Sequence, residues 1–177
     1  MEFRAEQIFQ APAEAVARAY ADPALYVALG GAPRLWAPEV VSFREERGIV
    51  HLDVRQHFTG RLAPAVTAVI DPARLTWVEQ TVHDLGRLEV EFRLAPEHYA
   101  DRLRAGGRCS YRQDGGRTRR IVTGEVVVTG VPLFGRAVER AIVSGLQEHL
   151  AAEVPLAQRF LDRNAAGSPG DGSGDSS

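Results

Sequence analysis

Between Val40 and Val128 the apolar residues recur at every second position, and the connections between runs are too short to hold a helix. Val50, Leu52, Val54, Gln56 and Phe58 alternate with His51, Asp53, Arg55 and His57, and Leu88, Val90, Phe92 and Leu94 alternate with Glu89, Glu91 and Arg93. Glu46-Arg47-Gly48, Asp71-Pro72, Leu85-Gly86 and Asp114-Gly115-Gly116 stand between the runs as turns. Parallel neighbours need a crossover of about a dozen residues or more, so these spacings leave only an antiparallel meander whose strands each keep one wet face.

The flanks differ in period. Glu2 to Phe9 reads as a further strand, with Phe3, Ala5, Gln7 and Phe9 on one face, which makes six or seven strands in all. Pro12 suits the first position of a helix through Ala13 to Tyr20. Asp22-Pro23 is an N-cap and first-turn pair for a second short helix ended by Gly30-Gly31. From about Pro132 to Arg163 runs the longest helical pattern, with a kink expected near Ala151 to Val154 because Pro155 lacks an amide and clashes with the preceding turn. Beyond Asn164, residues 165–177 are mostly Gly, Ser and Asp with no large apolar side chain, so a disordered tail is expected after a single domain of 1–164.

At 100° per residue, Val138, Ile142, Gly145, Leu146 and Phe160 fall on one stripe of the long helix, and His149 and Glu153 fall in the middle of it. An ionisable pair on a face meant for burial costs several kcal/mol unless it is paired or wetted. Either the two residues pair with each other or with strand residues, or they serve a ligand in a hollow beneath the helix. Gly145, inside that helix, reads as a packing contact or as space left vacant.

Charge and composition remove whole classes of function. The 177 residues carry 21 basic and 23 acidic side chains, a formal charge of −2, so no global field draws the chain onto nucleic acid or an anionic membrane. All the basic residues are arginine, which excludes lysine Schiff-base chemistry. No apolar run approaches the roughly 18 residues of a membrane span, and the charged start M-E-F-R-A-E lacks the apolar core of a signal peptide. With Cys109 as the only cysteine, a cytoplasmic address is expected.

The remaining motifs read as structural. His51, Asp53, Arg55 and His57 stand about 7 Å apart on one strand face with a cation among them, which suits solvent and not a metal. His83 and His98, near turns, are expected at the surface. Cys109 is expected to be a small buried hydrophobe, and Arg117-Thr118-Arg119-Arg120 a solvated hairpin without the aromatics that stack bases. Trp36 and Trp77 suit the core or a cavity wall. No phosphate loop, dinucleotide fingerprint or serine elbow is present, and neither a cofactor nor a metal is expected.

The order of strand, two short helices, antiparallel meander and long terminal helix resembles the START-like superfamily, also called SRPBCC or polyketide-cyclase-like. Ala11 to Tyr26, A-P-A-E-A-V-A-R-A-Y-A-D-P-A-L-Y, is similar to that superfamily's opening signature. Gly124 to Ile142, G-E-V-V-V-T-G-V-P-L-F-G-R-A-V-E-R-A-I, resembles the narrower bacterial family named domain of unknown function 2505. The resemblance implies an α+β helix-grip fold, a curved sheet wrapped around the C-terminal helix, with a cavity between them for a lipid, polyketide or other small hydrophobic molecule. Val138, Ile142, Leu146, Val90, Phe92 and Trp77 would wall it, with His149 and Glu153 as polar contacts. A cyclase, dehydratase or hydrolase using the same cavity, with His149 as acid or base, stays open, as does a protein-interaction module. The resemblance assigns no catalytic residue, and the sequence gives no oligomeric state.

Overall fold

The computed structural model describes residues 1–30, 38–57, 67, 71–130 and 135–167. Strand β1 (Glu2–Phe9) leads into helices α1 (Ala13–Tyr20) and α2 (Pro23–Leu29). The meander follows as β2 (Glu39–Glu46), β3 (Ile49–His57), β4 (Thr76–Asp84), β5 (Glu89–Pro96), β6 (Leu103–Asp114) and β7 (Arg117–Val128). Helix α3 (Gly135–Gly167) closes the chain. The seven strands form one antiparallel sheet in the order β1-β7-β6-β5-β4-β3-β2, so β7 returns to pair with β1 while every other pair joins neighbours in sequence.

Local chemistry explains the boundaries. Asp22 caps α2, its side chain accepting from the Ala24 amide at 2.8 Å, with Pro23 in the first turn. Pro12 offers α1 no side-chain cap, and the Ala13 amide donates instead to Gln113 Oε1 at 2.8 Å. Arg47 and Gly48, at φ 53° and 79°, make the left-handed two-residue turn that matches the twist of the β2–β3 hairpin. Helix α3 runs on through Pro155 and past Asn164 to Gly167. The proline removes one backbone hydrogen bond without ending the helix. Glu139, in the second turn of α3, accepts from the Val128 amide at 2.9 Å and ties the helix to the end of β7.

Curvature comes from a pinch between β6 and β7. Gly107 and Gly124 face each other in register. A Cβ on Gly107 would lie 2.0 Å from the Thr123 carbonyl oxygen, and one on Gly124 would lie 2.6 Å from the Gly106 oxygen. The Phe92 and Phe3 rings lie over this bend, at 2.9 and 2.8 Å from where those Cβ atoms would stand. The bent sheet wraps the apolar stripe of α3, and its inner residues, among them Phe9, Leu52, Val54 and Val126, join Val138 and Leu25 in one core. Trp36 and Phe58 lie outside the described residues, as do the 131–134 junction and the tail from 168.

Candidate functional site

Strand alternation selects the groups that face α3. On β4 the inner file is Trp77, Glu79, Thr81 and His83; on β7 it is Thr118, Arg120, Val122 and Val126, so Arg117 and Arg119 point out while Arg120 points in. Thus only part of the Arg117–Arg120 cluster is solvated. Arg120 is the exception among its arginines, with a side chain 12% exposed. His83 likewise departs from the expected surface position. Strand β4 continues to Asp84, so its pleat turns His83 inward, where it is buried.

The buried charges are tightly bound to one another. Glu153 Oε1 accepts three hydrogen bonds, each of 2.9 Å, from Arg120 Nη1, Gln7 Nε2 and the Tyr20 hydroxyl. Arg120 also donates to Gln7 Oε1, and Gln7 donates to the Leu150 carbonyl. The guanidinium carbon lies 3.9 Å from the centroid of the Tyr20 ring, a cation–π contact. Burial alone would lower the pKa of Arg120; the acidic groups around it, Cys109, Tyr20, Tyr111 and Glu153, raise it on balance, so the guanidinium stays charged. Burial, reinforced by Glu153, holds the Tyr20 hydroxyl well above its usual range, and it serves as a donor.

Beside this cluster the helix and sheet do not meet. A cavity of about 80 Å³ lies between them, walled by Trp77, Phe92, Leu94 and Val122 of the sheet and Ile142 and Leu146 of the helix, with Gly145 on its roof. By the roughly 10–15 Å³ that one water occupies, this is room for on the order of five waters or a small organic group. A second chamber of about 50 Å³ shares Gln56, Glu79, Arg120, Leu146 and His149 with the first and reaches Tyr20, Tyr26 and Glu153. An annex of about 20 Å³ shares Ile142 and is closed by Val138.

Of the residues expected at a site, the structure brings Trp77, Phe92, Ile142, Leu146 and His149 around the main cavity, Glu153 to the second chamber and Val138 to the annex. Val90 stands apart. It is buried in the core between its register partners His83 and Cys109, and it lines none of these three chambers. His149 is half-buried, with Nε2 3.8 Å from Glu153 Oε2.

Sequence reasoning does not single out Gln7, Tyr20, Glu79 or Arg120. Glu79 lines both larger chambers, and among the described residues its one hydrogen-bonding partner is Gln56 Nε2, at 3.5 Å. Burial first, and the Glu153 charge second, raise its pKa, with Arg120, His149 and Gln56 opposing.

Other expected features have their own places. Asp53 accepts from the Ser42 hydroxyl at 2.9 Å, and Arg55 bridges Glu39 and Glu97 at 2.5 and 2.8 Å, on the outer face of the sheet. His57, last in that strand, lines the cavity and so leaves the solvated file. His98 is exposed beside Arg74. Cys109 is buried, and burial raises its thiol pKa, the opposite of what a nucleophile requires. Among the described residues no group of His, Cys, Asp and Glu could hold a metal ion, and no helix is long and apolar enough to cross a membrane.

A seven-stranded curved sheet gripping a terminal helix over a partly hollow interior is the helix-grip class of fold. Within that class, the chain belongs to the family described as protein of unknown function (DUF2505), whose model matches residues 4–161. Among solved structures it is similar to TTHA0849 from Thermus thermophilus, at 23% identity over 95% of this chain and 100% of the other, with a TM-score of 0.62. It is also similar to the Zhui aromatase/cyclase from Streptomyces sp. R1128, at 16% identity over 96% and 99%, with a TM-score of 0.64. Norcoclaurine synthase from Thalictrum flavum matches at 16% identity over 91% and 86%, with a TM-score of 0.62. At these identities the likeness is one of fold. No curated protein sequence matches the chain.

Proposed function

We propose that this protein binds a small apolar or amphipathic molecule, such as a lipid or polyketide fragment, in the hollow between α3 and the sheet. The observation that carries the reading is a hollow that joins an apolar wall of Trp77, Phe92, Ile142 and Leu146 to polar groups at one end, Glu79, Arg120 and His149 lining both chambers and Glu153 the second. Dry packing would give the same residues no reason to part, since an unfilled space forfeits contact energy on both of its walls. A lone buried cysteine suits a reducing cytoplasm, where such a carrier would act.

The test is native mass spectrometry of the freshly purified protein, with thermal shifts against a panel of lipids and aromatic polyketide fragments. A ligand at about 100 times its Kd adds roughly 2.7 kcal/mol, a rise in Tm of several degrees for a chain of this size. Leu146→Trp, which fills the chamber, should abolish the shift. No co-purifying molecule together with no shift across the panel would reject the reading.

A second reading, catalysis of a cyclase, dehydratase or hydrolase type, is favoured by one observation: His149 lines both chambers while Glu153 stands 3.8 Å from its Nε2, an arrangement in which a carboxylate could orient an acid–base imidazole. Turnover of a bound compound that His149→Ala abolishes without loss of binding would establish it.

A further inference from the structure

The two carboxylates of the hollow are not equivalent, and the difference bears on which ligand fits. Glu153 is neutralised by Arg120 and accepts hydrogen bonds from two further side chains. Glu79 lines the same space, yet among the described residues no cation stands within ion-pairing distance of it, and Gln56 reaches it only at 3.5 Å. Arg120 is engaged by Glu153 and Gln7, and His149 Nε2 stands 3.8 Å from Glu153, so among the described residues Glu79 is the carboxylate of the hollow with no ion-pair partner.

The neighbours of Glu79 point the same way. Trp77 lies two residues before it on the same strand face. Leu94 is its register partner on β5, which places Phe92 one step along the diagonal. Both rings line the main cavity with Glu79. A carboxylate flanked by aromatic rings is the pairing that takes up an ammonium group, through the ion pair on one side and the ring faces on the other. With Glu153 and Arg120 offsetting one another, a carboxylate ligand would meet the like charge of Glu79 in a space where screening is weak.

Resting on the ligand reading above, we infer that the hollow selects an apolar molecule carrying a protonated amine, held by Glu79 between Trp77 and Phe92, and discriminates against carboxylates. A neutral hydroxyl is second best, as a donor without charge.

The experiment is isothermal titration calorimetry at pH 7 with four matched probes: 2-phenylethylamine, 2-phenylethanol, ethylbenzene and 3-phenylpropionate. In the natural protein the amine should bind at least about tenfold more tightly than the carboxylate, a difference of roughly 1.4 kcal/mol, with the alcohol between them. Glu79→Gln should remove the preference for the amine while leaving ethylbenzene unchanged, and Leu146→Trp should weaken all four probes. If 3-phenylpropionate binds as tightly as the amine, or Glu79→Gln leaves the amine untouched while ethylbenzene still binds, the inference falls and the cavity reading stands. If no probe binds the natural protein, both fall. The comparison within the natural protein decides the matter even should Glu79→Gln fold poorly.

Discussion

Glu153 and Glu79 approach one hollow from opposite walls, the first from helix α3 and the second from strand β4, and their surroundings could hardly differ more. Glu153 is 5% exposed and accepts from a guanidinium, an amide and a phenol. Glu79 is half-buried, with a single long contact, from Gln56, among the described residues. A buried charge with every partner in place fixes the helix to the sheet, because Gln7 and Arg120 come from β1 and β7, and Tyr20 from α1. A charge left with open valences in a cavity wall holds nothing in place, and its burial is tolerable only because the space beside it can admit water or a ligand.

The largest expected effect comes from unbalancing the saturated cluster. Arg120→Met would leave Glu153 buried without its cation and should lower stability by about 3–5 kcal/mol, whereas Arg120→Met combined with Glu153→Leu should recover most of that loss. Urea unfolding of the two variants would measure it. A single variant no worse than the double would show that the pair contributes nothing to holding α3 down.

A smaller effect, of opposite dependence on charge, is expected at His83. Thr81 donates its hydroxyl proton to the Leu52 carbonyl at 2.8 Å, so at 2.9 Å it can only accept from His83 Nε2, which leaves the buried Nδ1 without a partner among the described residues. Burial, with a lesser push from Arg120, lowers the His83 pKa from 6.5 to about 4. The folded chain therefore keeps the ring neutral where the unfolded chain would protonate it. That contribution is complete above pH 6.5 and is lost as the pH falls toward 4. Across this window the natural protein should lose about 3 kcal/mol more than His83→Gln, as read from urea titrations at each pH.

The fold is legible in the sequence because it rests on periods that nearby residues repeat many times: every second residue in β3 and β5, and every third or fourth in α3, where Val138, Ile142 and Phe160 are buried as the stripe requires. The polar half of the site is not, for a definite reason. R-T-R-R beside a Gly-Gly turn reads as one basic block, yet Arg120 lies two residues before Val122 and shares its inward face. Strand β4 carries polar residues on both faces, so Glu79 and His83 lack the contrast that marks an inner file, although Trp77 sets their parity. Gln7 falls on the correct face of β1 with Phe3 and Phe9, but nothing local indicates that Glu153, 146 residues away, waits opposite it.

The smallest expected effect is also the most telling. The pKa of Glu79 is raised above 4.5 by burial, so its folded form favours the proton; whatever it adds to stability is present below pH 4.5 and is lost as the pH rises through the folded value. At pH 7 Glu79→Gln should therefore leave stability within about 1 kcal/mol of the natural protein or improve it, whereas Glu153→Gln should cost several kcal/mol by stranding Arg120. Side-by-side urea unfolding of these two amide variants puts the contrast directly to the test. A large loss at Glu153 with little or none at Glu79 is the predicted result; equal losses at both would mean that Glu79 is a structural support and not a free wall of a binding site.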